Sequence, residues 1–315
     1  MLPSRELGRS GIRIPAVMLG GNVFGWTLDE ASSFRVLDAA VERGLNAIDT
    51  ADMYSNWLPG HVGGESETII GNWLHARGNR DKVIIATKLG HNMGPGKEGL
   101  SRAYIVQAVE ASLMRLRTDY IDLYQAHRDK PETPLEETLA AFDGLIKAGK
   151  VRAIGASNYT AARFAQALDV SKANGLARYE TLQPKYNLME RPAYEGALQD
   201  LCVAEGIGVI NYYALAAGFL TGKYRKIEDA SGARGDTVRE YCNAKGFGVL
   251  AALDKAAARL GATPAQVALA WVMTRPGIAA PIASATKVAQ LDDLVAAVTL
   301  RLDAAAIADL DAASA

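Results

Sequence analysis

Eight brief apolar runs punctuate the chain. Between them lie longer stretches in which apolar residues recur every three to four positions. The runs are 15–20 (PAVMLG), 45–50 (LNAIDT), 82–88 (KVIIATK), 120–127 (YIDLYQAH), 151–157 (VRAIGAS), 180–184 (ETLQP), 208–213 (GVINYY) and 279–284 (AAPIAS). Short runs of this kind predict strands covered on both faces. Helices are predicted at 29–43, 64–77, 101–117, 133–149, 160–173, 193–205, 264–274, 289–298 and 304–313. Asp29 and Ser101 are N-cap candidates, Pro134 and Pro264 suit a first turn, and Gly44, Gly78 and Gly206 mark stops. Strands alternating with helices mean parallel βαβ units, and eight of them favour a closed (β/α)8 TIM barrel. Residues 5–8 and 12–14, turning at 9–11, predict an N-terminal β-hairpin cap, and the last helix a C-terminal addition. The whole chain, 1–315, reads as a single domain with a long loop after Tyr213, whose charged, Gly- and Ser-rich part 224–241 is the candidate mobile segment.

An open doubly wound sheet is the competing architecture, and it needs a Gly-rich fingerprint directly after its first strand. Gly94, Gly96 and Gly99 have that spacing, but they lie well past Lys88 and before a helix that starts near Ser101. They read as an ordinary loop.

Charge and composition narrow the function. Lys and Arg number 34 and Asp and Glu 35, a net of −1, with no basic half. That argues against nucleic acid as a partner. Cys202 and Cys242 cannot build a disulfide framework and suit free thiols in a reducing cytoplasm. The N-terminus lacks the apolar core of a signal peptide, and no apolar stretch approaches a membrane span, so no membrane role is expected. His61, His75 and His91 have no ligand spacing, so no metal is expected.

In a barrel, polar residues at the C-terminal ends of strands are the catalytic candidates. Asp49, Lys88 and His127 end three successive predicted strands, each separated from the next by 39 residues, and Tyr54 follows Asp49 after a short loop. Singly, each has an ordinary reading as a cap, a solvated end, a satisfied polar group or packing. Together they form a specific set. A phenol is a poor acid near neutral pH, a neighbouring ammonium lowers its pKa, and a carboxylate fixes the ammonium. A neutral imidazole can then orient a carbonyl oxygen. Such a set gives a proton to an oxygen while hydride reaches the carbon.

These residues sit within motifs that strongly resemble the aldo-keto reductase family, of the bacterial type. The likeness runs through 5–11 (RELGRSG), 44–54 (GLNAIDTADMY), 64–67 (GESE), 85–88 (IATK), 119–127 (DYIDLYQAH), 154–158 (IGASN), Gln183 and 218–224 (GFLTGKY), essentially the whole chain. The resemblance implies an NAD(P)-dependent oxidoreductase that reduces aldehydes and ketones reversibly. Asp49, Tyr54, Lys88 and His127 would be its tetrad, with Tyr54 as proton donor. It implies a nicotinamide cofactor across the barrel mouth. Ser157, Asn158 and Gln183 would bind the carboxamide, and Tyr212 would stack on the ring. Leu215, Gly218, Leu220, Gly222 and Lys223 would span the pyrophosphate. Ser284, Thr286, Lys287 and Gln290 would lie on the adenosine side. Lys287 is the only cation in the segment 283–291, so NADP(H) is favoured only modestly and NAD(H) remains possible.

For the small-molecule carbonyl or alcohol, Phe24, Trp26 and Trp57 fit an apolar pocket, and Arg128 suits an anionic or polyhydroxy substrate. Two rival functions are a cofactor-binding regulatory subunit of a channel-type assembly and a barrel using Lys88 as a Schiff base.

Overall fold

The computed structural model describes residues 2–315. A hairpin of β1 (Ser4–Glu6) and β2 (Arg13–Pro15) precedes eight parallel strands. These are β3 (Met18–Gly20), β4 (Ala47–Asp49), β5 (Ile84–Leu89), β6 (Ile121–Ala126), β7 (Val151–Ser157), β8 (Tyr179–Gln183), β9 (Gly208–Val209) and β10 (Ile282–Ala283). They neighbour one another in chain order, and β10 pairs with β3. The remaining seam is bridged by single hydrogen bonds. The N–H of Val209 donates to the Gly277 carbonyl, that of Ala279 to Val209, and that of Ile282 to Asn211. The sheet therefore closes into a (β/α)8 barrel. The predicted runs 208–213 and 279–284 are shorter as strands because the seam is irregular, and Pro281 has no N–H to offer a ladder.

Around the strands lie α1 (Glu30–Glu42), α2 (Glu65–Arg77), α3 (Arg102–Leu116), α4 (Leu135–Lys147), α5 (Ala161–Asn174), α6 (Ala197–Glu205), α9 (Pro264–Met273) and α10 (Val288–Thr299), with α11 (Ala304–Ser314) closing the chain. The cap candidates act as such: Asp29 accepts from the Ser32 N–H, and Ser101 from Tyr104. Among the described residues, no helix is long and apolar enough to cross a membrane.

The long loop expected after Tyr213 is more ordered than its composition suggests. Short 3-10 turns lie at Ala216–Thr221, Ile227–Asp229 and Gly232–Arg234. They are followed by α7 (Gly235–Tyr241) and the 17-residue α8 (Ala244–Leu260), which the hydrophobic pattern did not reveal. Gly246 and Gly248 weaken the helical signal there. Gly246 is a packing requirement, since a Cβ would lie 1.9 Å from the Tyr241 carbonyl oxygen. Asn243 caps α8, and Val249, Leu250 and Leu253 bury its inner face.

Inside the barrel, Met18, Ala47, Ala86, Leu123 and Ala153 form an apolar layer, closed from below by Leu7, Ile12 and Ile14 of the hairpin region. Side chains two positions apart share a face of a strand. The inward positions following Ala47, Ala86 and Leu123 are Asp49, Lys88 and Gln125, all buried. The interior thus changes from apolar to polar at the C-terminal ends of the strands, where barrel sites are built.

Candidate active site

Asp49, Tyr54, Lys88 and His127 meet at this polar end. The fully buried Lys88 Nζ donates to Asp49 Oδ2 at 2.8 Å, to the Thr50 carbonyl at 2.6 Å and to Tyr54 Oη at 2.9 Å. Its three hydrogens each have an acceptor, which leaves no free amine for Schiff-base attack. The Tyr54 hydroxyl lies 3.4 Å from Asp49 Oδ2. The Tyr54 ring stands edge-on to His127, with centroids 6.2 Å apart, and keeps part of its surface open to the mouth.

The electrostatics differ in one respect from the sequence expectation. Burial, followed by the charge of Asp49, holds the Tyr54 phenol well above its ordinary value, despite the adjacent ammonium. Burial lowers the Lys88 ammonium, against the pull of Asp49. Burial, then the charge of Lys88, holds His127 well below the usual imidazole range. At neutral pH the site therefore presents a neutral phenol and a neutral imidazole. That combination can donate a proton and hydrogen-bond a carbonyl oxygen.

The candidate carboxamide residues form one connected network on β7 and β8. Ser157 Oγ donates to the Gln183 carbonyl at 2.7 Å. Asn158, in a left-handed conformation (φ 59°), donates through Nδ2 to the His127 carbonyl at 3.0 Å and accepts from the Tyr212 hydroxyl at 2.9 Å. Gln183 Nε2 donates to Asp49 Oδ1 at 2.9 Å, so this network touches the carboxylate that holds Lys88.

Beyond Tyr212 the backbone is strained. Tyr213, Ala216 and Ala217 have φ of 60°, 47° and 56°, and Gly218 has 96°. Runs of such residues cluster at ligand clamps. Lys223 is exposed near Gly218, whose added Cβ would lie 3.7 Å from the Lys223 Nζ; Leu215 is half-buried and Leu220 buried. Gly222 is left-handed as well. On the far side, Ser284 donates to Asn22 Oδ1, and Gln290 Oε1 accepts from the N–H groups of Thr286 and Lys287. The Lys287 side chain is exposed and makes no ion pair among the described residues. A polar strand-end network, a strained small-residue loop and two unpaired lysines fit an extended dinucleotide.

The pocket candidates separate. Trp26 and Trp57 pack edge to face with centroids 5.5 Å apart, and Trp57 reaches Tyr54 at 6.1 Å. Arg128 is exposed beside His127. Phe24 is wholly buried in the core, where its carbonyl accepts from Ser55, and it offers no surface to a substrate.

Several groups at the site escape the sequence reading. The His91 ring lies 4.3 Å from that of His127, and burial, then Arg128, lowers its pKa to about 4. The guanidinium of Arg234 sits 5.4 Å from the Trp26 ring centroid. Gln125, two positions before His127, reaches Gln183. The period of two along β6 would have pointed to Gln125, whereas Arg234 sits in the stretch read as a loose loop.

A profile of the Aldo/keto reductase family matches residues 16–315. Among relatives, an uncharacterized oxidoreductase, YrpG, of Bacillus subtilis is 36% identical over 94% of this chain and 91% of its own length. Aldo-keto reductase AFTS1 of Alternaria alternata is 35% identical, over 95% of this chain and 88% of its own. A protein of Arabidopsis thaliana named probable voltage-gated potassium channel subunit beta is 32% identical, over 93% and 90%. With a match across nearly its full length, on a barrel whose mouth gathers these four groups, the chain belongs to the aldo/keto reductase family.

Proposed function

We propose that the barrel mouth reduces aldehydes and ketones to alcohols, reversibly, with Tyr54 handing the proton to the substrate oxygen. The observation that carries this reading is the Lys88 ammonium held between Asp49 Oδ2 (2.8 Å) and Tyr54 Oη (2.9 Å). The nicotinamide cofactor supplies the hydride. His127, neutral, orients the carbonyl oxygen toward Tyr54. Lys88 stabilises the phenolate left behind, and Asp49 keeps the ammonium in place. Trp26 and Trp57 exclude water from an apolar substrate face, and Arg128 marks the polar rim. Ser157, Asn158 and Gln183 hold the carboxamide, with Tyr212 as the ring platform.

The complete four-residue set favours turnover over a purely regulatory role of the kind named for the channel-subunit relative. The chain acts as one barrel domain. Its free cysteines, Cys202 buried and Cys242 half-buried, suit a reducing compartment such as the cytoplasm.

On the adenosine side, Ser284 and Thr286 are already engaged with Asn22 and Gln290, which leaves Lys287 as the cation for a 2′-phosphate. One exposed lysine holds phosphate modestly and in a salt-dependent way. NADPH is therefore used in preference to NADH, NADH is tolerated, and Lys287→Ala narrows the gap. Measuring kcat/KM for both cofactors at two salt concentrations tests this. A preference above about a thousandfold, or ~4 kcal/mol, that survives Lys287→Ala contradicts it.

A further inference from the structure

Lys88 reaches Tyr54 across the ends of two neighbouring strands, β4 and β5, and a buried polar set lies behind them. Thr87, the neighbour of Lys88 on β5, points the other way and donates to Glu67 Oε1 at 2.6 Å. Arg115 Nε of α3 donates to the other oxygen of the same carboxylate, also at 2.6 Å. Gly64 leaves room for that guanidinium, because a Cβ there would lie 2.4 Å from Arg115 Cδ. Ser66, beside Glu67 in the first turn of α2, donates to the Gly21 carbonyl at 2.7 Å. Its one hydrogen is thus committed, so Thr50 must be the donor in the 2.8 Å contact between the Thr50 and Ser66 hydroxyls. Thr50 also supplies the carbonyl that Lys88 Nζ donates to at 2.6 Å. Thr50, Ser66, Glu67 and Thr87 are all fully buried.

We propose that Glu67, with Ser66 beside it and Arg115 opposite, is a positioning residue for the Lys88 ammonium, bracing from outside the barrel the two strand ends that bring Lys88 to Tyr54. The inference rests on the reductase reading above. It gives the segment Gly64-Glu65-Ser66-Glu67 a purpose beyond starting a helix.

The brace is electrostatic as well as geometric. The carboxylates that favour a charged Lys88 are those of Asp49 and Glu67. Asp52 is 2% exposed and neither of its side-chain oxygens has a partner among the described residues. Burial, then the charge of Glu67, pushes its carboxyl well up. Arg115 thus pairs with Glu67, while Asp52 stays neutral.

Two variants test the proposal, read by steady-state reduction of 4-nitrobenzaldehyde with NADPH and by the pH profile of 4-nitrobenzyl alcohol oxidation. Thr87→Val cuts the strand from the brace while keeping its shape. Its kcat falls about tenfold with KM unchanged, because a small misplacement of a reacting group is costly. Glu67→Gln removes an anion that favours the charged Lys88 and loosens the brace. With the ammonium weakened beside Tyr54, the alkaline limb of oxidation moves up by about one pH unit. A purely structural role would lower thermal stability and leave the limb alone. A wild-type kcat in Thr87→Val, or an unmoved limb in folded Glu67→Gln, overturns the proposal. Should Glu67→Gln fail to fold, the Thr87→Val result decides alone. A wild-type protein without turnover fails the reductase reading itself, an outcome distinct from either variant's behaviour.

Discussion

Replacing Tyr54 by phenylalanine is expected to lower the rate of carbonyl reduction by about 10²–10⁴-fold, the ordinary cost of losing a positioned general acid. The substitution deletes one oxygen and keeps the ring, so the edge-on contacts with Trp57 and His127 persist. Lys88 loses one of its three acceptors but keeps Asp49 and the Thr50 carbonyl. The candidate cofactor residues lie on β7, β8 and the segments that follow, so a fluorescence titration with NADPH should give an unchanged affinity. In the proposed reaction the phenol is the donor, and burial and the charge of Asp49 keep it protonated at neutral pH. If the phenylalanine variant reduces carbonyl substrates at the original rate, the proton comes from elsewhere.

The second large effect concerns Lys88. In the proposed alcohol oxidation the phenolate is the base, so the rate rises with pH as Tyr54 loses its proton. The Lys88 ammonium, 2.9 Å from that oxygen, opposes burial by favouring the phenolate. Lys88→Met removes this opposition and moves the rising limb to higher pH, by about 1–3 units. The sign is fixed: fewer phenolates form at any given pH, and oxidation near neutrality falls accordingly. Losing one member of a buried pair also leaves Asp49 without its counter-ion, a cost of about 3–5 kcal/mol. Near-UV circular dichroism must therefore show a packed core before the profile is read. A folded variant whose limb stays in place would remove Lys88 from this role.

Most of the barrel is legible in the sequence because its strands are short apolar runs with helices between them, and the pattern survives even where the paired segment shrinks, as at Gly208–Val209. Asp49, Lys88 and His127 are legible for a related reason, since each stands where an apolar run turns polar, and Tyr54 follows Asp49 after a short loop. The brace behind the sheet is not. Thr87 reads as an ordinary strand residue and Glu67 as an ordinary helix-start carboxylate, and only their 2.6 Å contact gives them meaning. Helix α8 is hidden by Gly246, which is present for close packing against Tyr241 rather than for a turn. The direction of the Tyr54 shift is hidden as well. Sequence places an ammonium nearby but says nothing of the burial that outweighs it. Phe24 illustrates the reverse case, an aromatic beside a strand end that packs inward and leaves the mouth to Trp26 and Trp57.

Carbonyl reduction in this chain is proposed to rest on Asp49, Tyr54, Lys88 and His127. Its most direct test is turnover of 4-nitrobenzaldehyde by the purified protein with NADPH, following cofactor absorbance and alcohol formation together. Sustained turnover is expected, with one alcohol formed for each NADPH consumed, and its near loss in Tyr54→Phe. NADPH binding without consumption, across this aldehyde and a panel of other aldehydes and ketones, would contradict it.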